Sequence, residues 1–447
     1  MATAVVLGDV GWRYLYHLGD EAMTEAAVAE LRRRDVEPVL VAGSPAVARE
    51  MYGVSSVARF GFRSKWRMAE HEELLSKVER DLDRGEVSES PLLEALRKCD
   101  IAIIAGGGNL ASQFPSHVFE RYAFALAATK FGKPLVVLSQ TIGPTIEGRV
   151  GELVQSVLHM AKVVGCRESI SHGLALGLDL DSRKIVRSFD DAILLNADGA
   201  DRDEAAMYAP SGRPFVIGSF PGRNGSLPWS KEEHVARVSS LLDKFALSHG
   251  CDVLLVPHMA SLPAGYDKAD QISHAAIVGA SQSGLVRALP GVRAKTLVAL
   301  MEMSRVSISS RYHPAVFALP SASPVVGVPT SRYSLVKLQG ALENAGMSAL
   351  ALPTVAWNLL LPALGEAWDR SSEFASHLLL IRKAASAYQC RLWDGVADLA
   401  LGGTFIAPSG FPLADQIPMA GAWSVEAKGA MTVFEQWLQS SADAKLS

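Results

Sequence analysis

The chain has 447 residues, of which 49% are hydrophobic and 20% are charged. This length predicts two or three domains, and the composition excludes wholesale disorder and low-complexity architectures. With 43 lysines and arginines against 47 aspartates and glutamates, the net charge of -4 argues against nucleic acid as a partner. The four cysteines lie far apart in the sequence, which indicates neither a metal clip nor a disulfide framework and is typical of a reducing compartment.

The N-terminal residues are more typical of a first β-strand than of a secretory signal, because a basic segment and a cleavage site are missing. The longest apolar stretch, 355–368, is interrupted by Asn358 and Pro362 and is too short for a spanning helix. We therefore expect a cytoplasmic protein without a membrane span, and peripheral contact with a membrane stays open.

In the first half of the chain, short β-branched runs alternate with helical patterns. This alternation predicts βαβ units around a parallel sheet. The expected strands are 5–8, 36–42, 101–105, 135–139, 163–166 and 185–189. Asp20 is the expected N-cap of a helix over 20–34, and the charged residues 60–95 are expected to form a helical excursion from this unit.

A second series of the same kind begins after the polar, turn-rich residues 196–213. Its expected strands are 215–220, 251–257, 285–289, 306–310 and 325–328. From 354 onward the pattern predicts mainly helix to about residue 400, a Gly/Pro-rich stretch at 402–418 and a last amphipathic helix over 425–438. The expected organisation is a Rossmann-like domain over 1–200, a second over 201–350, and a helical segment over 351–447.

The residues that directly follow the expected strands are rich in glycine, arginine, histidine and aspartate. Ligands of open parallel sheets bind at the carboxyl ends of the strands, so these residues are the candidates for function. They are Gly106-Gly107-Gly108-Asn109, Gln140 to Pro144, Arg167-Glu168-Ser169, Asp190-Asp191, His258-Met259 and Arg311-Tyr312-His313-Pro314. Two such edges suit a two-domain transferase with its site between the domains.

The glycines 106–108 allow the backbone to turn sharply and to approach an anion with bare N–H groups. A tight turn from a strand into a helix explains them equally well. The triplet matches neither the dinucleotide-binding fingerprint nor the P-loop, whose lysine is missing. A P-loop ATPase is therefore not indicated.

The segment Arg311-Tyr312-His313-Pro314 carries the stronger signal. Pro314 suits the first turn of a helix, which would place His313 at the helix cap beside unpaired N–H groups. The planar guanidinium of Arg311 can bind a carboxylate or a phosphate through two hydrogen bonds, and a histidine can transfer a proton near neutral pH. A structural arginine next to a capping histidine is the alternative that we weigh against this function.

Other candidates have a structural explanation beside the functional one. Arg167 offers a second guanidinium, with Glu168 as a possible ion-pair partner, and His258 is either catalytic or a hydrogen-bond donor to a loop. Asp191 could bind sugar hydroxyls, orient a histidine or cap a helix. The sequence contains no metal-ligand motif, so we expect neither a required metal nor a cofactor.

Taken in order, these motifs form a set between residues 15 and 340. They are His17-Leu-Gly19-Asp20, Ala105 to Leu110, Ser139 to Pro144, Cys166-Arg-Glu-Ser169, Asp191-Ala192, Pro257-His258 and Arg311-Tyr-His313. The set resembles the polysaccharide pyruvyl transferase family. The chain departs from the family's usual pattern at His17, where asparagine is common, and at Asp190, where proline is common.

The resemblance implies an α/β fold that is GT-B-like, with two Rossmann-type domains whose parallel sheets face across a cleft. It also implies transfer of the enolpyruvyl group of phosphoenolpyruvate, as co-substrate, onto two hydroxyls of a sugar, oligosaccharide or glycolipid, with a cyclic ketal and phosphate as products. On the family's pattern, Arg167 and Arg311 match residues that hold the donor, and His313 matches the residue that protonates it. Lys337 resembles a recurring basic position, and His17 and Asp20 lie on the acceptor side.

The proposed chemistry also explains the residue types. Phosphoenolpyruvate has a carboxylate and a phosphate, for which two arginines and a glycine-rich loop would be a suitable receptor. Adding a hydroxyl to its central carbon requires a proton on the methylene carbon, which a cationic His313 could donate. His258 or an aspartate could take protons from the sugar. Two alternatives stay open: a metal-independent GT-B glycosyltransferase that uses a nucleotide sugar, and a non-catalytic protein that binds glycans or anions.

Overall fold

A computed structural model describes residues 1–87, 89–210, 212–222 and 227–443, with side chains described through residue 436. The strands are β1 (Ala2–Leu7), β2 (Tyr16–His17), β3 (Val36–Ala42), β4 (Ser55–Ala58), β5 (Ile101–Ile104), β6 (Gly107–Leu110), β7 (Leu135–Ile142), β8 (Val163–Cys166), β9 (Ile185–Arg187), β10 (Phe215–Ser219), β11 (Asp252–Leu255), β12 (Met259–Ala260), β13 (Val286–Ala288), β14 (Val306–Ser309) and β15 (Val325–Gly327).

More residues lie in α-helices than in strands, and the first helix begins at Leu18, within the first family motif. They are α1 (Leu18–Arg32), α2 (Pro45–Tyr52), α3 (Met68–Arg84), α4 (Pro91–Lys98), α5 (Pro115–Lys130), α6 (Gly148–Met160), α7 (Ser169–Leu176), α8 (Gly199–Tyr208), α9 (Lys231–His249), α10 (Ala269–Ala280), α11 (Ala294–Met303), α12 (His313–Ser321), α13 (Arg332–Asn344), α14 (Leu360–Asp369), α15 (Ser371–Ala400) and α16 (Trp423–Asp443). Short 3-10 helices cover Ser182–Lys184, Asp191–Leu194, Ser348–Leu350 and Thr354–Leu359.

The chain divides into two compact units, each built from separate pieces of sequence. The first unit contains Met1–Arg13, Asp20–Ala192 and Ala385–Phe411, and the second contains Tyr14–Gly19, Ile193–Ala384 and Pro412–Ser447. The division therefore falls after Ala192 rather than at residue 200. Of the residues 351–447, this division assigns 385–411 to the first unit and the others to the second unit.

The first unit is built around a parallel sheet with the strand order β4-β3-β1-β5-β7-β8-β9, and β6 pairs with β7. Its strands are almost continuously apolar because helices cover the sheet, as in other parallel sheets. Phe119 and Phe124 of α5 and Val154 and Val157 of α6 belong to the core that packs on the strands. All the strands predicted for this half occur, so the expected parallel sheet is confirmed.

The second unit has a five-stranded parallel sheet in the order β13-β11-β10-β14-β15. All five of these strands were predicted from β-branched runs. A separate antiparallel pair joins β2 to β12, with His17 opposite Met259 and Tyr16 opposite Ala260. This pair places the first family motif beside the residues that follow β11.

The structure corrects several predicted elements. Helix α1 begins at Leu18, so Asp20 lies in its first turn and is not its N-cap. The turn-rich residues 196–213 contain α8, whose N-cap Asp198 accepts hydrogen bonds from the backbone N–H groups of Ala200 and Asp201. Polar residues in this stretch are thus capping signals as well as turn signals. Residue 211 of the stretch lies outside the described residues.

Two further features bear on the expectations from sequence. All four cysteines are free thiols, and Cys99, Cys166 and Cys251 are buried. Among the helices in the described part of the chain, none is both long enough and apolar enough to cross a membrane.

Candidate functional site

In the second unit, charged and polar side chains gather where β10, β11 and β14 end. Ser219 ends β10, His258 follows β11, and Arg311 and His313 follow β14. Asp270, in the first turn of α10, joins them through hydrogen bonds. The structure therefore brings together three of the residues predicted from sequence, His258, Arg311 and His313, at the edge of the sheet where ligands of such folds bind.

The centre of this cluster is an ion pair between Arg311 and Asp270. The Arg311 guanidinium donates from Nε to Asp270 Oδ2 at 3.0 Å and from Nη2 to Oδ1, which makes the pair bidentate. Asp270 is fully buried, whereas the Arg311 side chain is 22% exposed. Burial alone would raise the pKa of Asp270, but the neighbouring Arg311 lowers it to about 2. Asp270 is thus a fixed anion that orients Arg311.

Asp270 occupies the Nε/Nη2 edge of the Arg311 guanidinium, and the Nη1/Nη2 edge is the one that can face a ligand. In the described residues, no hydrogen bond from the remaining Nη1 is formed. Both N–H groups of Nη1 and the second N–H of Nη2 can therefore meet an anion without breaking the pair.

His258 is held in one orientation by its neighbours. Its Nδ1 lies 2.9 Å from Ser219 Oγ and 3.3 Å from the Val256 carbonyl oxygen, and its backbone N–H donates to Asp270 Oδ2 at 3.0 Å. Since a carbonyl can only accept, Nδ1 carries the proton and Nε2 is an acceptor, which has no partner among the described residues. Burial lowers the pKa of His258 to about 3, so the imidazole is neutral at pH 7.

His313 is the first residue of α12, and Tyr312 occupies the N-cap position that the sequence suggested for the histidine. Its imidazole lies directly on the α-carbon of Gly19. A Cβ atom built at Gly19 would lie 1.8 Å from both Cε1 and Nδ1 of the ring. Gly19 is brought here by the β2–β12 pair and by a hydrogen bond from the Leu18 N–H to the His258 carbonyl oxygen, at 2.9 Å. Only glycine leaves room for the ring at this position.

Lys337 lies close to the same segment. Its Nζ is 4.8 Å from the centre of the Tyr312 ring and 4.6 Å from that of Tyr333, and it donates to the Tyr333 hydroxyl at 3.1 Å. The Tyr312 ring in turn packs edge-on against His313, with 4.9 Å between ring centres. The predicted basic residue thus contacts the histidine's neighbour through cation–π interactions.

Arg167 lies in the first unit and is almost completely buried. Its Nη1 donates to Asp190 Oδ2 at 2.6 Å, and its Nε donates to Glu168 Oε1 at 3.1 Å and to Thr141 Oγ1 at 2.9 Å. The ion-pair partner that we weighed at Glu168 is therefore present, and Asp190 adds a second carboxylate. Its role as a donor ligand stays a prediction.

The glycine triplet does not form the tight turn from a strand into a helix that the sequence allowed. Gly106, Gly107 and Gly108 are buried, and the chain continues into β6 rather than into a helix. Asn109 is partly buried within the same strand, and α5 begins only at Pro115. A Cβ atom at Gly106 would lie 2.6 Å from Met23 Sδ, so close packing explains this glycine. The binding of an anion by the N–H groups of this segment stays a prediction.

Asp191 is buried in the first unit and binds the C-terminal part of that unit. Its Oδ1 accepts hydrogen bonds from Gln389 Nε2 at 2.7 Å and from Trp393 Nε1 at 2.9 Å. Burial raises its pKa to about 7. The capping role is performed by Asp190, whose Oδ1 accepts from the Ala192 N–H at 2.9 Å. These contacts give Asp191 a structural role, and its role as a sugar ligand stays a prediction.

The two predicted acceptor-side residues belong to different units. His17 lies in β2 of the second unit and is partly exposed, whereas Asp20 lies in α1 of the first unit and is buried. Burial lowers the pKa values of Arg59 and Arg121, two arginines in the first unit, and the negative charge of Asp20 raises them. No group of three or more His, Cys, Asp or Glu side chains positioned to hold a metal ion occurs in the part of the chain that the structure describes.

Sequence reasoning missed Asp270 and Ser219. Asp270 lies in a helix without any motif around it, and only its pairing with Arg311 reveals its place in the cluster. Ser219 ends a predicted strand, so its position at the carboxyl edge of the sheet was the one signal that could have identified it.

Comparison with known proteins gives a family match. The sequence profile of the family described as polysaccharide pyruvyl transferase matches residues 17–332. The matched region contains Gly19, His258, Arg311 and His313. No curated protein matches the chain.

Solved structures similar to this one include several nucleotide-sugar epimerases. A Listeria monocytogenes protein described as a UDP-N-acetylglucosamine 2-epimerase has 12% identity and a TM-score of 0.61, covering 92% of this chain and 99% of its own. MnaA of S. aureus, solved with UDP, has 12% identity and a TM-score of 0.57, covering 92% and 100%. The UDP-GlcNAc 2-epimerase of Neisseria meningitidis, bound to UDP-GlcNAc, has 11% identity and a TM-score of 0.55, covering 90% and 100%. At such low identity the likeness shows a shared GT-B-like fold of Rossmann-type units with a helical C-terminal segment.

Proposed function

Because this chain belongs to the polysaccharide pyruvyl transferase family, we propose that it transfers the enolpyruvyl group of phosphoenolpyruvate onto two hydroxyls of one sugar. The products are a cyclic pyruvate ketal and phosphate. The acceptor is a sugar, oligosaccharide or glycolipid that contributes to a cell-envelope glycan. The free cysteines support a cytoplasmic location for this reaction.

The main support for the proposal is the position of His313 in the second unit. Its imidazole rests on Gly19 and is preceded by Arg311, whose guanidinium is oriented by a buried carboxylate. Lys337 supplies another cation beside Tyr312. A fixed histidine near two cations is suited to a donor that carries both a carboxylate and a phosphate and that must be protonated on carbon.

The reaction can be written with balanced atoms. The first hydroxyl oxygen bonds to the central carbon of phosphoenolpyruvate while His313 donates a proton to the methylene carbon, which becomes a methyl group. The bond between the central carbon and the phosphate oxygen then breaks, and the second hydroxyl oxygen closes the ketal. In the net reaction, one hydroxyl proton ends on the methyl carbon and the other leaves with phosphate. Developing positive charge at the central carbon is stabilised by the neighbouring phosphate.

His258 takes a different role from His313 in this proposal. A histidine with a pKa near 3 is far from the value that is optimal for proton transfer at neutral pH. We assign it to positioning, because its backbone carbonyl holds Leu18 and its backbone N–H binds Asp270. Arg167 remains a proposed donor ligand by family resemblance alone.

Donor binding tests the proposal against its main competitor. A ligand that binds only the folded protein raises the melting temperature by mass action. Millimolar phosphoenolpyruvate should raise the melting temperature of the full chain, and a panel of sugar acceptors should give phosphate release with at least one member. Stabilisation by UDP-sugars and none by phosphoenolpyruvate would favour a glycosyltransferase, whose substrates resemble the ligands of the solved epimerases. Stabilisation without phosphate release from any acceptor would favour a non-catalytic binding protein.

Independence from a divalent metal is part of the same proposal, since arginine and lysine side chains supply the positive charge for the donor. Turnover should persist in the presence of a chelator. Loss of turnover that magnesium or manganese restores would reject this part.

A further inference from the structure

An aromatic and polar surface lies at the carboxyl edge of the sheet in the first unit. We call it the Trp12 patch, and it consists of Trp12, Asp9, Arg59 and His117. Asp9 and Trp12 follow β1, Arg59 follows β4, and His117 lies in the first turn of α5. These residues belong to the edge of an open parallel sheet at which ligands bind. None of them was selected from the sequence.

Trp12 is held in place although 39% of it is exposed. The indole rests on the bare α-carbon of Gly43, where an added Cβ atom would lie 2.3 Å from Cδ2 and 2.4 Å from Cε3. The indole Nε1–H donates to Asp9 Oδ1 at 3.3 Å. The Arg59 guanidinium carbon lies 5.7 Å from the centre of the ring. The rest of the indole is an oriented apolar surface that is open to solvent, the kind of aromatic surface that lines ligand sites.

Asp9 links the other members of the patch. Its Oδ1 accepts a hydrogen bond from Arg59 Nη1 at 2.7 Å, and its Oδ2 lies 3.1 Å from His117 Nε2. The side chains of Asp9 and His117 are 21% and 25% exposed. Part of each side chain is therefore accessible to a ligand at the surface of the patch.

The charges of the patch discriminate between ligand classes. The Arg59 side chain is nearly buried and is compensated by Asp9 at 2.7 Å and by Glu120 at 3.8 Å. A phosphate or carboxylate ligand would have to compete with these two anions. A neutral polyol does not, because it needs only hydrogen-bond partners and an apolar surface for its C–H groups.

We propose that Trp12, Asp9 and His117 form a binding subsite for one neutral pyranose ring. The exposed part of the indole packs against the C–H face of the ring, and the Asp9 carboxylate accepts a hydrogen bond from a hydroxyl at its edge. His117, whose ring nitrogens lie 3.1 Å from Asp9 Oδ2 and 3.4 Å from Ser116 Oγ, orients the carboxylate. Arg59 fixes the carboxylate and does not contact the sugar. The identification of this ring as part of the acceptor rests on the proposed function, whereas the subsite itself does not.

Direct binding measurements test the subsite without any donor. Methyl glycosides of glucose, galactose, mannose and their N-acetylated 2-amino forms are added to the full-length protein, and saturation-transfer NMR reports which of them bind. Trp12→Ala should weaken binding of the best probe by about 10-fold or more. Asp9→Asn and His117→Gln should each weaken it as well.

Trp66→Ala is the matched control. Trp66 is a partly exposed tryptophan of the same unit. The guanidinium carbon of Arg63 lies 5.7 Å from the centre of its ring, and Arg59 lies at the same distance from the Trp12 ring. The control variant should bind the probe as the parent protein does. Circular dichroism of each variant shows whether the fold is retained.

The outcomes separate the subsite from the proposed function. Binding of no glycoside by the parent protein, or equal binding by the parent and Trp12→Ala, overturns the subsite. Glycoside binding that depends on Trp12, in a protein that neither binds phosphoenolpyruvate nor releases phosphate, supports the subsite and rejects the proposed function. In an active protein, Trp12→Ala should raise KM for the acceptor and leave KM for phosphoenolpyruvate unchanged.

Discussion

The imidazole of His313 lies on the α-carbon of Gly19, so closely that a methyl group at residue 19 would lie 1.8 Å from two ring atoms. These residues are almost three hundred positions apart in sequence, yet both belong to the second unit. The contact gives a physical reason for the glycine in the first family motif. It also shows what fixes the orientation of the proposed general acid.

Gly19→Ala should displace the His313 ring. We expect destabilisation of about 1–3 kcal/mol from overpacking. Turnover should fall by about 100-fold or more, because displacing a catalytic group by 1 Å has effects of that size. Phosphate-release kinetics and urea unfolding measure the two effects. Gly279→Ala is the control, since nothing lies within 4 Å of the Cβ position at that helical glycine. Full activity of Gly19→Ala would show that the ring position is unimportant.

His313→Gln should abolish most of the turnover while donor affinity stays nearly intact. Glutamine can still form a hydrogen bond, but it cannot deliver a proton, and general acid catalysis contributes about 100- to 10,000-fold. His258→Gln is expected to have a smaller effect, because the buried histidine is neutral and holds neighbouring segments. Phosphate release and donor binding are measured for both variants. An active His313→Gln protein together with an inactive His258→Gln protein would move the acid role to His258.

Arg311→Lys should weaken donor binding by about 1.5–3 kcal/mol, because a lysine cannot make the paired hydrogen bonds that orient Arg311 on Asp270. The matched control is Arg202→Lys. Arg202 also forms a bidentate ion pair, with Glu302, but this pair lies on the surface of the same unit. Exposed pairs contribute about 0–1 kcal/mol, so the control should behave like the parent. Titration with phosphoenolpyruvate compares the two, and unchanged affinity in Arg311→Lys would make Arg311 a purely structural residue.

Asp191 should make the stability of the protein depend on pH. Burial raises its pKa from the ordinary 3.8 to about 7, so the folded protein keeps a proton that the unfolded chain loses. The contribution of Asp191 to the free energy of unfolding is therefore full below pH 3.8 and is lost as the pH rises toward 7, by up to about 1.4 kcal/mol per pH unit.

Asp191→Asn tests this dependence, because asparagine keeps an acceptor oxygen for Gln389 and Trp393 but does not titrate. Urea unfolding of the parent and the variant at pH 5 and pH 7 gives the difference in slope. Parallel pH profiles would mean that Asp191 is already ionised in the folded protein.

Sequence reasoning recovered the sheets because their strands are short β-branched runs between clear helical patterns. It predicted β3 and β8 with both ends correct. It missed β4 and β6, whose sequences are Ser-Ser-Val-Ala and Gly-Gly-Asn-Leu, because neither contains a β-branched run. The glycine-rich segment β6 is a strand because it pairs with the longer strand β7. The local sequence does not show this pairing.

The candidate site was predictable only in part. Arg311, His258 and His313 follow predicted strands, so topology alone places them at one edge of the sheet. The partners that determine their behaviour are distant in sequence: Asp270 binds Arg311, and Gly19 makes room for His313. The same limit applies to Asp191, whose burial depends on a helix two hundred residues later.

Because each unit is built from separate pieces of sequence, neither unit can be expressed as one contiguous fragment. A contiguous fragment that encodes 193–384 would lack residues 14–19, and with them strand β2 and the glycine beneath His313. A fragment that encodes 1–192 would lack residues 385–411, and with them Gln389 and Trp393, which donate hydrogen bonds to Asp191. No single cut yields either unit whole, so recombinant versions of one half would need grafted segments or a permuted chain order.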